Sequence, residues 1–183
     1  MSTSSKLRAY HHGDLRRALL DTALVMLEEE GSAGLGLREL ARRLGVSPAA
    51  PYRHFDSRIA LLEALAVTGY QRFARAVTEA ATASPADPLN AMGRAYIRFA
   101  LDNGNLFRLM FSPELERSGR PALRMAADAA FATLAKVTTA GGRLAALKAW
   151  AEVHGLATLL LDRQINLAPG EDAETLAAAI LAA

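Results

Sequence analysis

The chain contains no cysteine among its 183 residues. That excludes disulfides, thiolate metal sites and a cysteine nucleophile, and leaves stability to packing. Aromatic residues make up 6% of it, with a single tryptophan, and β-branched residues are few. Alanine and leucine are prominent and 51% of residues are hydrophobic, so helix is favoured nearly everywhere and an all-α globule is expected. No charge-free apolar run approaches the roughly 20 residues that cross a bilayer. The polar start MSTSSKLRAYHHGD has no signal-peptide core, so a cytoplasmic protein without a membrane partner is expected. An overall excess of one charge is also missing, since 21 Lys and Arg face 19 Asp and Glu. The imbalance that exists lies at the front: residues 1–60 hold 9 basic and 7 acidic side chains, three of the acids being Glu28, Glu29 and Glu30. Such asymmetry suits an anionic partner near the N-terminus.

About nine helices can be read along the chain. Asp14 is placed to cap a first helix of about four turns that stops at Gly31, where glycine supplies a C-terminal signal. Leu37, Leu40, Ala41 and Leu44 give a second helix of barely two turns, closed by Gly45. Ser47 followed by Pro48 starts a third, predicted over 48–54. Asp56 or Ser57 caps a fourth, with Leu62, Leu65, Ala66, Gly69, Phe73 and Ala76 on one face. The stretch ATASPADP then breaks the pattern. Five further helices follow, carried by Leu89–Phe99, Leu106–Phe111, Pro121–Val137, Leu144–Leu161 and the small-residue tail ETLAAAILAA, with SPELERSGR as a loop. Residues 1–58 are expected to form one domain of three helices, and 59–183 a second helical domain.

The stretch LRELARRLGVSPAAPYRHF carries the chemistry. Two short helices meet at a tight corner, with Ala41 small where they cross, Gly45 free to take a positive φ, and Val46 filling the angle. That is a helix-turn-helix pattern, the shape that lays a helix in the major groove of double-stranded DNA. Ser47, Ala49, Tyr52, Arg53 and His54 would face outward, mixing small groups that permit close approach with donors for phosphates and base edges. Arg38 and Arg58 would flank the groove, and Lys6 and Arg8 sit on an N-terminal arm suited to the minor groove. The plainer alternative is that these arginines solvate the surface.

From about Tyr10 to Ala66 the sequence resembles the DNA-binding region of TetR-family regulators, most strongly in GVSPAAPYRHFDSRIALLEAL. AWAEVHGLATLLL, residues 149–161, resembles the Trp-His-Gly signature of one C-terminal class in that family. The resemblance implies a two-fold dimer held by the last two helices, with two recognition helices in successive major grooves. It also implies phosphate contacts from Tyr52, His54 and Arg58, bases near Ser47, Ala49 and Arg53, and a C-terminal domain that binds an effector and dimerises. Three positions depart from the family pattern: Gly36 stands where Ser or Thr is common, Arg58 where lysine is usual, and Pro51 falls inside the recognition helix, where it deletes one early backbone hydrogen bond and a local distortion is expected.

Beyond the linker, Met92, Tyr96, Phe99, Phe107, Met110, Phe111, Met125, Phe131 and Trp150 concentrate bulky apolar groups, which suits a cavity for a small apolar effector. His154 lies among apolar neighbours, where it would bond a ligand or a core group. No acid or histidine stands at ligand spacing near His11 and His12, so no metal is expected, and no cofactor. Gly155, Ala157, Ala177, Ala178, Ala179 and Ala182 would permit close helix approach in a homodimer. A ligand-responsive repressor is the leading expectation. The competitors are a helical small-molecule binder or enzyme whose helix pair is structural, and an architectural DNA binder without effector. Against an enzyme, no nucleophile–base pair, phosphate loop or carboxylate constellation stands at recognisable spacing.

Overall fold

The computed structural model describes residues 12–138 and 141–182; Lys6, Arg8 and His11, of the expected arm and histidine pair, lie outside them. The described residues form eight α-helices and no strand: α1 (His12–Glu30), α2 (Leu37–Leu44), α3 (Arg58–Ala83), α4 (Pro88–Asp102), α5 (Gly104–Met110), α6 (Pro121–Val137), α7 (Gly142–Leu161) and α8 (Ala173–Ala182). Two 3-10 turns, Ser32–Gly34 and Pro51–Arg53, complete them. The second turn stands where the third of the nine expected helices was placed.

Helix ends follow local chemistry. α1 is described from His12, so Asp14 lies within the helix and is not its cap. α2 closes with Gly45 at φ 65°, ψ 29°. Val46 N–H reaches the Ala41 carbonyl at 3.0 Å, and Gly45 N–H reaches that of Arg42 at 3.2 Å. That pairing is the Schellman ending, in which a left-handed glycine satisfies the last carbonyls. Ser57 caps α3, its Oγ accepting Ala60 N–H at 3.1 Å. Asp87 caps α4, with Pro88 at the first helical position. Asp172 caps α8, its carboxylate accepting the N–H groups of Glu174 and Thr175 at 3.0 and 2.9 Å. The hydrogen bonds from Thr175 hold the Asp172 carboxyl below its usual range.

The chain divides into two compact units, residues 1–65 and 66–183, so that α3 begins in the first and continues in the second. In the first, Leu19, Ala23, Met26 and Leu27 of α1 meet Leu37, Leu40 and Ala41 of α2, with Phe55, Leu61, Leu62 and Leu65, all buried. In the second, α4 packs against α7 and α8. Arg98 of α4 grips Glu174 of α8 with two donors, and Arg108 of α5 closes the end of α7, donating to the Leu161 carbonyl at 3.0 Å and to Asp162 at 2.8 Å. α7 has the length and composition to cross a membrane, with mean hydropathy 1.3. Here it gives Ala146, Val153, Leu156 and Ala157 to the core and leaves Leu144 77% exposed.

Candidate nucleic-acid interface and apolar cavity

After the Gly45 corner the backbone turns without becoming a regular helix. Ala50 N–H bonds to the Ser47 carbonyl at 2.9 Å, and the N–H groups of His54 and Phe55 converge on the Pro51 carbonyl at 3.0 Å each. The reason is Pro51, which has no N–H to return to Ser47 four residues back and whose ring crowds that carbonyl. The proline itself is buried and anchors the turn. Ser47, Ala49, Tyr52 and Arg53 are exposed, as is Arg38 on α2, while His54 is half-buried.

The arginines of this unit divide into two sets. Arg43 is held by Glu29 and Glu30 of α1, and Arg42 by Glu39, its Nε at 2.8 Å. Arg16 lies over the Phe55 ring, 5.3 Å from its centroid. Arg58, expected at the phosphates, points elsewhere: its Nε donates to the Leu35 carbonyl at 2.9 Å and one Nη to that of Ser32 at 2.6 Å. It ties the start of α3 to the loop between α1 and α2: the half-buried guanidinium supplies a donor to the Leu35 carbonyl and a second donor to the Ser32 carbonyl, which also accepts Leu35 N–H at 3.2 Å. Arg38 and Arg53 form the other set, with no acid partner among the described residues. Gly36 precedes α2 in extended backbone, φ −140°, ψ 143°, with no side chain to cap the helix.

In the second unit α3, α4, α6, α7 and the loop before α6 border a partly open cavity of about 240 Å³. Met92, Tyr96, Phe111, Phe131 and Trp150 are in its lining. Phe99, Phe107, Met110 and His154 are not in its lining; they form the layer behind it. Phe99 packs on Phe73 at 5.4 Å and Phe107 on Tyr96 at 5.7 Å, ring centre to centre. Met110 accepts the Tyr70 hydroxyl on its carbonyl at 2.7 Å, and its sulfur lies under Gly69, leaving no room for a Cβ there. Met125 is 69% exposed, on the face of α6 turned from the core. Tyr70, Val77, Leu89, Gly93, Leu134 and Leu147 also line the cavity, with the polar members Arg117, Asp128 and Arg143; the sequence reading did not assign these to it. Tyr70, Phe73 and Val77 continue the apolar stripe of α3, a signal that was present. Arg117 lies in an irregular loop, where no periodicity marks it.

The Trp-His-Gly pattern acquires a geometry here. Trp150 and His154 are one turn apart on α7, so both reach the Tyr96 hydroxyl of α4: Trp150 Nε1 donates to it at 3.3 Å, and His154 Nδ1 lies 2.8 Å from it. Burial pushes the Tyr96 hydroxyl well above its usual range, and burial lowers the His154 imidazole from 6.5. Both are therefore neutral near pH 7. The imidazole tautomer sets which of the two donates in the Tyr96–His154 bond. Gly155, next along, faces open space, with nothing within 4 Å of a Cβ built on it. A second polar pair stands at Tyr70, whose oxygen accepts from an Arg117 Nη at 2.5 Å. Burial pushes this hydroxyl up to about 12, against the opposing pull of Arg117.

Such a molecule, with a helix-turn-helix unit and a helical unit around an apolar cavity, has the build of a DNA-binding protein with a separate ligand chamber. Residues 19–65 match the model of bacterial regulatory proteins of the tetR family, and residues 89–183 match that of the tetracyclin repressor-like C-terminal domain. The chain belongs to the TetR family. It is 51% identical over 51 residues to the class C tetracycline repressor protein of Escherichia coli, covering 28% of this chain and 23% of that one. It thus spans about a quarter of the length of the tetracycline repressors it matches. A solved protein of unknown function from Rhodococcus sp. RHA1 is similar over 96% of this chain and 95% of its own, with 33% identity and a TM-score of 0.81. The fold is also that of AibR, solved with isovaleryl coenzyme A and operator DNA, at 19% identity over 91% and 95% of the two chains and a TM-score of 0.63.

Proposed function

We propose that the chain is a ligand-responsive transcription regulator, a cytoplasmic repressor without enzymatic activity that binds a palindromic operator as a homodimer and releases it when a small effector enters the cavity. The observation that carries the DNA-binding half is the split among arginines. Arg42, Arg43 and Arg58 are consumed inside the unit, whereas Arg38 and Arg53 are left beside an exposed turn of small residues and Tyr52. Side chains of that kind contact phosphate and base edges. Ser47, Ala49, Tyr52, Arg53 and Arg38 make up the proposed contact set; His54 acts from the margin, and Arg58 positions the unit.

The dimer is supported by an uncovered stripe on α7, where Leu144, Ala151, Gly155 and Leu159 recur at helical spacing, with Leu144 and Leu159 77% and 43% exposed. Ile180 of α8 is exposed as well. Ala157 and Ala177, expected at that interface, are fully buried in their own subunit and serve its core instead. Ala178 is half-buried and Ala179 exposed; the side chain of Ala182 lies outside the described set.

The test is selection of bound fragments from random duplex DNA by the full chain. The proposal expects an enriched inverted repeat. Arg53→Ala should relax the preference at one position of each half-site by about 1–3 kcal/mol. Recovery of no common sequence, or an unchanged base preference in the variant, would refute the assignment.

A further inference from the structure

We infer that the effector is an amphipathic monoanion, a carboxylate on an apolar body, and that Arg117 is the residue that holds its charge. This deepens the proposed function and rests on the cavity being the effector site. The walls are largely aliphatic and aromatic, but two arginines, Arg117 and Arg143, open onto the space against one acid, Asp128. Among the described residues neither arginine is ion-paired with Asp128 or with any other acid. Arg117 is half-buried. Its guanidinium stacks 5.4 Å from the Tyr70 ring centroid and gives one N–H to the Tyr70 oxygen at 2.5 Å. Tyr70 is locked in turn by its bond to the Met110 carbonyl at 2.7 Å. A guanidinium has five N–H donors in a planar fork, so this anchoring fixes its plane and leaves donors for a ligand.

A cation held in a partly dry aromatic wall makes its strongest bonds with an anion, and a planar carboxylate matches its fork. Asp128 in the same lining opposes a second negative charge, which favours a monoanion over a phosphate dianion. At about 240 Å³, the space is just below the roughly 300–1,000 Å³ of drug-sized sites, so the apolar body is small. Phe131, Trp150 and Phe111 provide its surroundings. Arg143 is exposed, in the first turn of α7, and assists as a steering charge.

The only tryptophan of the chain, Trp150, is part of the lining, so its emission reports entry directly. The experiment titrates the full chain with phenyl-substituted alkanoates and with the methyl esters of the same acids. The acids should bind at least about tenfold more tightly than their esters, as expected for a charged hydrogen bond. Arg117→Met should erase that preference, Arg117→Lys should keep part of it, and Arg143→Met should weaken it less than Arg117→Met. Circular dichroism of each variant separates lost binding from lost folding, and Arg117→Lys preserves the test if Arg117→Met does not fold. Esters binding as well as acids would overturn the anion and leave the cavity as the effector site. Absence of any Trp150 response to acids and esters would overturn both. A preference that survives Arg117→Met would remove Arg117 from the role.

Discussion

The first unit is closed and the second is not. In residues 12–65, Leu19, Leu27, Leu40, Leu61, Leu62 and Leu65 are wholly buried, and most arginines are spent on neighbouring acids, carbonyls or a ring. In residues 66–182, Phe111, Phe131 and Trp150 remain partly accessible around a cavity, and a tyrosine–histidine–tryptophan cluster stiffens its wall. A surface that must present a fixed shape to a duplex gains from dense packing. A chamber that must admit a ligand keeps part of its apolar surface uncovered and relies on hydrogen bonds for order.

The sharpest way to break that comparison is to make the same truncation in both places. Leu40→Ala in the closed core should cost about 2–5 kcal/mol, with a cavity left where nothing can follow. Leu134→Ala, in the wall of the existing space, should cost roughly 1 kcal/mol, because much of its surface already faces the void. Denaturant unfolding of both variants decides; equal losses would mean the second unit is packed as tightly as the first. Next comes Arg58→Ala, which strands the carbonyl of Leu35 and leaves that of Ser32 with Leu35 N–H alone. About 1–3 kcal/mol of stability should disappear, while the salt dependence of DNA binding keeps its slope, a contrast that filter binding over a salt series measures. A changed slope would return Arg58 to the phosphates.

A smaller effect concerns pH. The imidazole of His154 titrates below its unfolded value of 6.5 because burial disfavours its charged form. The folded state therefore binds fewer protons. The stability tied to this group is complete above pH 6.5 and is lost as pH falls through the lower folded value. Thermal unfolding from pH 7.5 to 5 should decline less steeply in His154→Gln than in the parent chain. The smallest change is Gly36→Ser, at a position with extended backbone and nothing within 4 Å of the added Cβ. A capping hydroxyl there should raise stability by a few tenths of a kcal/mol, seen as a slightly higher unfolding midpoint.

Legibility differed between the units for the same physical reason. The corner at Gly45 and Val46 is written in adjacent residues, since a Schellman ending needs only one left-handed glycine and the carbonyls behind it. Ser57 and Pro88 are likewise local signals, and the structure uses both. Ser47–Pro48 is a sound start for a third helix and Pro51 announces a local distortion within it, but a proline four residues beyond Ser47 removes the bond that would make a helix of it, and only a 3-10 turn forms. In the second unit, aromatic content pointed to a cavity, yet spacing along one helix does not say which ring faces the space and which stands behind it. Phe107 and His154 fell behind because Tyr96 and Phe111 occupy the front. Arg117 was illegible because its position depends on Tyr70, 47 residues away. Arg58 is a cation beside a DNA-binding pattern, and its bonds to the loop carbonyls of Leu35 and Ser32 are legible only in the structure.

The central claim is that filling the cavity weakens the grip of the exposed turn on DNA. The direct measurement is the affinity of the full chain for a duplex enriched by selection, with and without a saturating ligand identified through Trp150 emission, in the parent chain and in Ala130→Phe, whose larger side chain fills the space from a buried wall position. The account predicts a fall of about tenfold or more in the parent chain, within the usual range of such couplings, and no response in Ala130→Phe. Unchanged DNA affinity in the parent chain with its cavity occupied would contradict it.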